Sequence, residues 1–366
     1  MAYQFTSESV SEGHPDKISD LISDTIANAI INGNENHRAA IETLVTTNSV
    51  VVAGEYKRDV PLSDDTVDAI VRQVVQNIGY EQDGFHWANL TVVNKLHAQS
   101  ADIALGTDDF GAGDQGLMFG YACNETPNLM PSAIYYSHKI LKRLAAERRS
   151  GNEEWIGPDS KSQVTMEYDT VGKPVGIKTI VCSTQHTDDV STQMVRDRVE
   201  QIIREEITDW NLSQTEFLIN PTGRFVIGGP DGDTGVTGRK IIVDTYGGYA
   251  PHGGGAFSGK DCTKVDRSAA YMARYLAKNV VATGKAENCT VQLSYAIGVK
   301  EPTSVYVYAD GIVRKEFSDY FRKNIDLTPK GIIDRFNLFD LDLTTTTNYG
   351  HFGKEEMPWE KVDLKL

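Results

Sequence analysis

The chain has 366 residues, a net charge of −15 and a pI near 5.0, a size that predicts two or three domains and excludes a single small module. The acidic balance argues against nucleic acid or an anionic membrane as the main partner, because both are bound through clustered Lys and Arg. Any anionic ligand must therefore bind in a local basic pocket.

The first third predicts alternating helices and strands. Apolar residues recur at intervals of three and four from Ile18 to Ile30, which predicts an amphipathic helix with Gly33 as its C-cap. The elements that follow are strands over 40–47 and 50–56, a helix over 63–78 and a strand near 90–96. The segment 99–116 carries four glycines and few large apolar residues, which predicts a mobile loop.

The remaining two thirds repeat this arrangement. The predicted elements are a hairpin of strands over 163–168 and 175–183, a helix over 188–207, a helix over 265–281, strands over 289–297 and 304–308, and helical turns over 317–321 and 331–336. Four threonines at 344–347 predict an exposed strand or loop. Three segments that each combine a hairpin with a long helix predict three similarly built α/β (α+β) domains.

The cysteines and the N-terminal sequence indicate in which cellular compartment the protein is expected. The four cysteines lie far apart with no C-x-x-C pair, so they suggest neither a zinc knuckle nor a disulfide framework, and we expect reduced thiols. The N-terminus lacks the basic and apolar regions of a signal peptide, and no apolar run approaches membrane-spanning length. We therefore expect a cytoplasmic protein.

The densest chemical signal is a glycine-rich segment. Twelve of the 32 glycines lie within the 37 residues from Gly223 to Gly259, interspersed with Arg, Lys and Asp. Glycine lets backbone N–H groups turn toward an anion, and Arg and Lys add positive charge at the same place, so the segment predicts a polyphosphate site. Residues 254–260 match a Walker A spacing, but Asp261 stands where Ser or Thr would hold magnesium, so an ordinary P-loop fits poorly.

A second phosphate signal is EGHPDK at 12–17, where the first helix begins. Proline at the first helical position and free N–H groups there favour an anion, which His14 and Lys17 could contact while Asp16 recruits Mg²⁺. Taken alone, the motif favours a simpler interpretation, in which Asp16 and Lys17 are charges of a first helical turn and His14 is a surface residue.

Two shorter clusters are weak when taken singly. Lys161 follows Asp159 and Ser160 just before a predicted strand, so it would lie at a strand end, where sites are commonly built. Asp114, flanked by glycines, could contact an ammonium group or simply close an Asx turn.

Together these segments closely resemble methionine adenosyltransferases, the S-adenosylmethionine synthases, over nearly the whole chain. The matching motifs are FTSESVSEGHPDK at 5–17, GAGDQGLMFGY at 111–121, NPTGRFVIGGP at 220–230, GRKIIVDTYGG at 238–248 and GGGAFSGKD at 253–261. The resemblance implies three α/β domains with pseudo-threefold symmetry, over 1–98, 114–226 and 227–366, with a flexible active-site loop over 99–113. It also implies a homodimer with shared active sites that often pairs into a homotetramer.

The reaction implied by the resemblance joins L-methionine to ATP and then cleaves the released triphosphate to pyrophosphate and phosphate. Transferred residue by residue, the family pattern gives the catalytic, polyphosphate-binding role to His14, Lys161, Arg239, Lys240 and Lys260. Further ATP contacts would come from Asp159, Arg224, Phe225, Asp233 and Ala256. Methionine would be bound by Glu55, Gln99, Asp114, Asp233 and Lys264. The implied cofactors are two Mg²⁺ ions per site, at Asp16 and Asp266, and K⁺ at Glu42.

One departure and two alternatives accompany this interpretation. The loop over 99–110 is several residues shorter than in common bacterial members, and the C-terminus ends early, so loop gating is the least secure transfer. The near-Walker segment leaves open a phosphotransferase that would release ADP. A catalytically silent nucleotide-binding subunit is disfavoured because every charged site position is present.

Overall fold

The computed structural model describes residues 1–99 and 111–366. Within these two ranges no helix combines the length and apolar character needed to cross a membrane. The four cysteines are buried free thiols, as the sequence predicts. Most of the predicted flexible loop, including all of 100–110, lies outside the described residues.

Three four-stranded sheets form the framework of the described residues. The first sheet contains β2 (Arg38–Thr46), β3 (Ser49–Lys57), β6 (Thr91–Ala98) and β11 (Gly235–Val236). The second contains β1 (Tyr3–Val10), β8 (Ile156–Tyr168), β9 (Pro174–His186) and β10 (Glu216–Ile219). The third contains β7 (Gly116–Cys123), β12 (Asn288–Tyr295), β13 (Ser304–Ala309) and β14 (Ile312–Val313). A two-stranded ribbon joins β4 (Glu81–Gln82) to β5 (Phe85–His86).

Helices cover one face of each sheet. They are α1 (Pro15–Ile31), α2 (Asp64–Ile78), α3 (Ser132–Ser150), α4 (Thr192–Glu206), α5 (Ile241–Asp244), α6 (Val265–Ala282), α7 (Lys315–Asn324), α8 (Pro329–Phe336) and α9 (Thr344–Thr347). Three separate apolar cores result: α1 and α2 pack on the first sheet, α3 and α4 on the second, and α6 to α8 on the third. This mixed α/β architecture of three similarly built units confirms the predicted fold class.

Each sheet includes a strand from a distant part of the chain. β1 pairs antiparallel with β8, so that Val10 lies opposite Lys161. β7 pairs with β12 of the third sheet, and β11 pairs with β2 of the first. The sheets therefore do not each belong to one continuous stretch of sequence, and the boundaries at 98, 114 and 226 stay a prediction.

Local patterns located most elements but not all of them. β1, β7 and α3 were not predicted; β1 buries Ser7 and Ser9, and α3 buries Ser137 and His138, which interrupts the apolar period. The predicted helix over 18–30 begins at Pro15 and is capped by Asn32, one residue before Gly33, in the left-handed conformation.

Two local predictions were wrong. Thr344–Thr347 is a short helix rather than an exposed strand or loop, because Thr346 and Thr347 are buried and hydrogen-bond to Arg267 and Asp24, which outweighs their β-propensity. Lys161 is not at the start of its strand, since β8 begins at Ile156.

Candidate active site

His14 is the N-cap of α1. Its Nδ1 accepts a hydrogen bond from the backbone N–H of Asp16 at 3.1 Å, and Pro15 occupies the first helical position. A Cβ on Gly13 would lie 2.4 Å from the carbonyl oxygen of Pro158, so only glycine permits this close approach. His14 is buried, which rules out the alternative that it is a surface residue.

His14 is an uncharged hydrogen-bond donor at neutral pH. Burial, together with the charges of Lys240 and Lys161, lowers the pKa of His14 to about 3. Because Nδ1 is occupied as an acceptor, the ring proton of the neutral imidazole resides on Nε2. His14 can therefore donate from Nε2 to an anion without carrying charge itself.

Asp16 lies between the helix terminus and the glycine-rich segment. Its carboxylate accepts from Lys240 Nζ at 2.5 Å and from the Val236 N–H at 3.0 Å, and Arg239 Nε lies 3.5 Å away. Burial would raise the pKa of Asp16, but the hydrogen bonds from Lys240 and Val236 outweigh it and lower the pKa below the usual value. Asp16 is thus an anion that cations surround on one side.

Lys161 and Asp159 approach this group from β8. Lys161 is exposed, and its charge acts on His14 and on Asp159. Asp159 is buried; its Oδ2 accepts from the Gly229 N–H at 2.9 Å, whereas its Oδ1 has no partner among the described residues. Burial raises the pKa of Asp159 to about 6. An unpaired buried oxygen is suited to a ligand donor.

The glycine-rich segment does not form a P-loop. A P-loop lysine is followed directly by a helix, whereas α6 begins five residues after Lys260, at Val265. Asp261 is fully buried and structural: its carboxylate accepts from the Ala39 N–H at 2.8 Å and from Lys264 Nζ at 2.6 Å. The position that departs from the Walker pattern therefore holds the loop to β2.

Lys260 and Asp266 face a separate cavity. Lys260 Nζ donates to Asp266 Oδ2 at 2.6 Å. A cavity of about 190 Å³ is lined by this pair and by Arg38, Gln99, Gly113, Asp114, Thr263, Lys264 and Val265. Within the described ranges the buried Oε1 of Gln99 has no hydrogen-bond partner. The cavity thus presents cations, carboxylates and an unpaired amide oxygen, as an amino-acid ligand requires.

The predicted residues on β2 and β3 lie at the outer face of the first sheet. Glu42 and Glu55 are exposed, and Glu55 Oε1 lies 3.6 Å from His97 Nε2. Partial burial raises the pKa of Glu42, and the charge of Lys260 opposes this effect. An isolated bridge between Ala40 and Lys260 brings this face next to the Lys260 pair.

The other predicted ATP-binding residues do not all lie in one cluster. Ala256 lies against Gly238, where an added Cβ would approach the Ala256 Cβ to 2.8 Å. Asp233 is exposed, and its charge acts on Asp159. Arg224 is exposed and paired with Asp188 at 2.7 Å. Phe225 is half-buried, and its backbone N–H donates to Nε2 of His186 at 3.0 Å. Within this single chain, the described contacts of Arg224 do not join it to the cluster of His14, Asp16 and Lys240.

Lys17 does not face a phosphate, contrary to the sequence interpretation. It is completely buried, donating to Asp20 at 3.1 Å and to Asp244. Burial would lower its pKa, but the two carboxylates raise it. The signal missed in the sequence was the four-residue spacing of Asp16, Asp20 and Asp24, which places three acids on one helix face.

Preformed metal cages are absent from the described residues, where no three His, Cys, Asp or Glu side chains group as a ligand set. Asp16 and Asp266 instead each offer one carboxylate beside a lysine. This donor set fits Mg²⁺, which proteins commonly hold through one or two carboxylates together with substrate phosphates.

Comparison with known proteins shows similarity to a single family over nearly the whole chain. Family models for the N-terminal, central and C-terminal domains of S-adenosylmethionine synthetase match residues 2–101, 109–225 and 227–361. The S-adenosylmethionine synthases of Paramagnetospirillum magneticum and Rhodospirillum centenum are each 54% identical, across 99% of this chain and 97% of theirs. The structure of an unusual S-adenosylmethionine synthetase from Campylobacter jejuni is 40% identical, with a TM-score of 0.92 over 99% of this chain and 97% of that one.

Proposed function

The chain belongs to the S-adenosylmethionine synthetase family and is a methionine adenosyltransferase, and we propose how its residues carry out that reaction. The sulfur of L-methionine attacks C5′ of ATP and displaces triphosphate, which is then hydrolysed to pyrophosphate and phosphate. A thioether sulfur carries no proton, so the first step needs no general base. The barrier lies in aligning the sulfur and stabilising the charge that develops on triphosphate.

The observation that carries the proposal is the uncharged His14 surrounded by cations. His14 donates from Nε2 to the departing oxygen, while Lys240 and Lys161, whose charges lower its pKa, bind the phosphates. Arg239 and Lys260 add to this positive field. A neutral donor keeps a fixed hydrogen bond on the leaving oxygen without needing to lose a proton.

Further ATP contacts come from residues at the edges of this group. The unpaired Oδ1 of Asp159 accepts from the nucleoside, and Ala256 packs beside Gly238. We assign Arg224, Phe225 and Asp233 to the nucleoside and its junction with methionine on the family pattern.

Methionine binds in the cavity beside Lys260. Gln99 Oε1 and the exposed carboxylate of Asp114 accept from its ammonium group, and Lys264 faces its carboxylate. Glu55, on the neighbouring sheet face, and Asp233 complete this set. The support for the assignment is the size of the cavity and its unpaired acceptor.

The family requires divalent metal ions and K⁺, and we assign Mg²⁺ to Asp16 and Asp266 and K⁺ to Glu42. Bound Mg²⁺ would neutralise phosphate charge. Without it, each carboxylate would repel a neighbouring phosphate, and Lys240 and Lys260 balance that charge in the free enzyme. The K⁺ assignment rests on the family pattern.

We further propose a homodimer with active sites shared across the sheet faces, which pairs into a homotetramer. Helices cover one face of each sheet, and the opposite faces expose large apolar side chains, namely Leu44 on the first sheet, Leu218 on the second, and Leu117, Tyr306 and Tyr308 on the third. Exposed apolar surface of this extent is typical of an interface. A partner subunit there would also cover Glu42 and Glu55.

The test is product analysis with labelled ATP. The purified chain is incubated with L-methionine, Mg²⁺, K⁺ and ATP carrying ¹⁸O at the oxygen bonded to C5′, and the products are separated by chromatography and mass spectrometry. We expect S-adenosylmethionine, with the ¹⁸O retained in the phosphate products because the C5′–O bond breaks. ADP as the main product would show that the chain is a phosphotransferase.

A further inference from the structure

Three aspartates line one face of α1. The four-residue intervals between Asp16, Asp20 and Asp24 place these side chains one above the other on the same face of the helix. We call them the aspartate row. Their exposed fractions are 1%, 0% and 0%. Acidic side chains are almost never fully buried unless they are paired, so each must have strong partners.

Each aspartate of the row accepts one backbone N–H from the glycine-rich segment. The donors are Val236 to Asp16 at 3.0 Å, Gly238 to Asp20 at 2.8 Å and Gly259 to Asp24 at 2.8 Å. Gly238 immediately precedes Arg239 and Lys240, and Gly259 immediately precedes Lys260. The row therefore holds the backbone next to Arg239, Lys240 and Lys260.

We propose that Asp20 and Asp24 are positioning residues for the polyphosphate-binding cations. They contact neither substrate directly but fix the backbone from which Arg239, Lys240 and Lys260 project. This inference rests on the proposed roles of those three cations.

The Asp24 end of the row clamps Lys260 from two sides. Arg267 is fully buried and donates to Asp24 at 2.7 Å and to the Lys260 carbonyl oxygen at 3.0 Å. Gly259 adopts φ +79°, and its carbonyl oxygen accepts from the Ile41 N–H at 2.9 Å. A Cβ there would lie 2.0 Å from the Ile41 carbonyl oxygen, so only glycine permits this close approach of the backbone to β2.

Asp20, the middle residue of the row, allows the effect of its charge to be separated from the effect of its hydrogen bond. Lys17 contacts both Asp20 and Asp244, so it keeps one carboxylate partner when Asp20 is neutralised. Asp20→Asn keeps an oxygen that can accept from the Gly238 N–H, whereas Asp20→Ala removes that acceptor. The two variants therefore test whether the hydrogen bond matters.

The experiment combines hydrogen exchange with kinetics on the full-length enzyme. In Asp20→Ala we expect the peptide spanning 235–244 to exchange about tenfold faster or more, because the partly buried Gly238 amide loses its acceptor. We expect kcat to fall by about tenfold to a hundredfold with little change in the KM for methionine, since a small displacement of a charge-stabilising group slows the chemistry. Asp20→Asn should retain most of both properties.

Ile26→Ala is the matched control. Ile26 is fully buried on the same helix, so the variant destabilises the fold without removing a bond to the glycine-rich segment. It should lower Tm and leave kcat per folded enzyme unchanged. If Asp20→Ala does not fold, Asp20→Leu, which keeps the branching and the number of side-chain heavy atoms, replaces it.

The results separate this inference from the proposed function. Unchanged exchange over 235–244 in Asp20→Ala, or a kcat loss matched by Ile26→Ala, would overturn the positioning role. Failure of the wild-type chain to form S-adenosylmethionine would refute the proposed function instead, while the exchange measurement would still test the hydrogen bond.

Discussion

Replacing Lys260 with Met should slow formation of S-adenosylmethionine far more than it weakens methionine binding. The substitution keeps most of the stem and removes the ammonium group that pairs with Asp266 at 2.6 Å. At about 4 Å from a phosphate oxygen and an effective dielectric constant of about 20, a unit charge contributes at most about 4 kcal/mol. Loss of one donor to a developing oxyanion typically slows kcat about 10²- to 10³-fold, which agrees with that bound.

The same substitution should change stability little. The Lys260 and Asp266 side chains are 23% and 31% exposed, and partly exposed ion pairs contribute about 0–1 kcal/mol. The backbone bonds that hold residue 260 do not involve Nζ. A large loss of rate with a nearly unchanged urea midpoint would therefore locate the effect in the chemistry.

The assay is rapid-quench measurement of a single turnover with radiolabelled methionine. Lys323→Met, at an exposed site on α7, is the control and should react at the wild-type rate. A Lys260→Met enzyme with a wild-type single-turnover rate would refute the proposed role of this cation.

Three further predictions follow from the site and the core. Asp16→Asn should raise the Mg²⁺ concentration needed for half-maximal rate by about tenfold or more, with a small change in Tm, and a wild-type Mg²⁺ titration would contradict the metal assignment. Because burial and Lys240 lower the pKa of His14 to about 3, the wild-type kcat profile should show no ionisation of His14 between about pH 5 and about pH 8, whereas His14→Ala should lose about 10²-fold in kcat throughout that range. Burial also lowers the pKa values of His138 and His351 well below 6.5, so at these residues the unfolded chain binds protons that the folded chain does not, and each should contribute a loss of stability as the pH drops below about 6.5, against the opposite contribution of Asp159, whose pKa burial raises to about 6. Urea unfolding at about pH 5 and about pH 7 measures this slope, and His138→Gln should reduce it by up to about 1.4 kcal/mol per pH unit.

The longer helices and the hairpins that sequence patterns located carry apolar residues at regular spacing. The predicted helices over 63–78 and 265–281 match α2 and α6 closely, because their apolar residues recur at the helical period. The 163–168 and 175–183 hairpin is longer in the structure, as β8 and β9, because its polar ends carry no alternation. α3 was not predicted, and its buried face includes the polar residues Ser137 and His138.

The candidate site residues also divide into those whose placement the sequence indicated and those whose placement it did not. The charge and spacing of the glycine-rich segment indicated a polyphosphate site, and Lys240 and Lys260 each lie beside a carboxylate. Lys17 has the same residue type and neighbours as a phosphate ligand, yet it is turned into the core. Of the two partners of Lys17, Asp20 is three residues away and detectable in a local pattern, whereas Asp244 is 227 residues away and is not.

The sequence by itself therefore determined the family, the three similarly built units and the set of charged residues available for catalysis, since motifs and periodicity are properties of neighbouring residues. Only the tertiary structure decided that β1, β7 and β11 join sheets remote in sequence. It also decided which charges are buried as supports and which face a ligand. Strand pairing and burial depend on contacts between distant residues, whose energies a linear pattern does not encode.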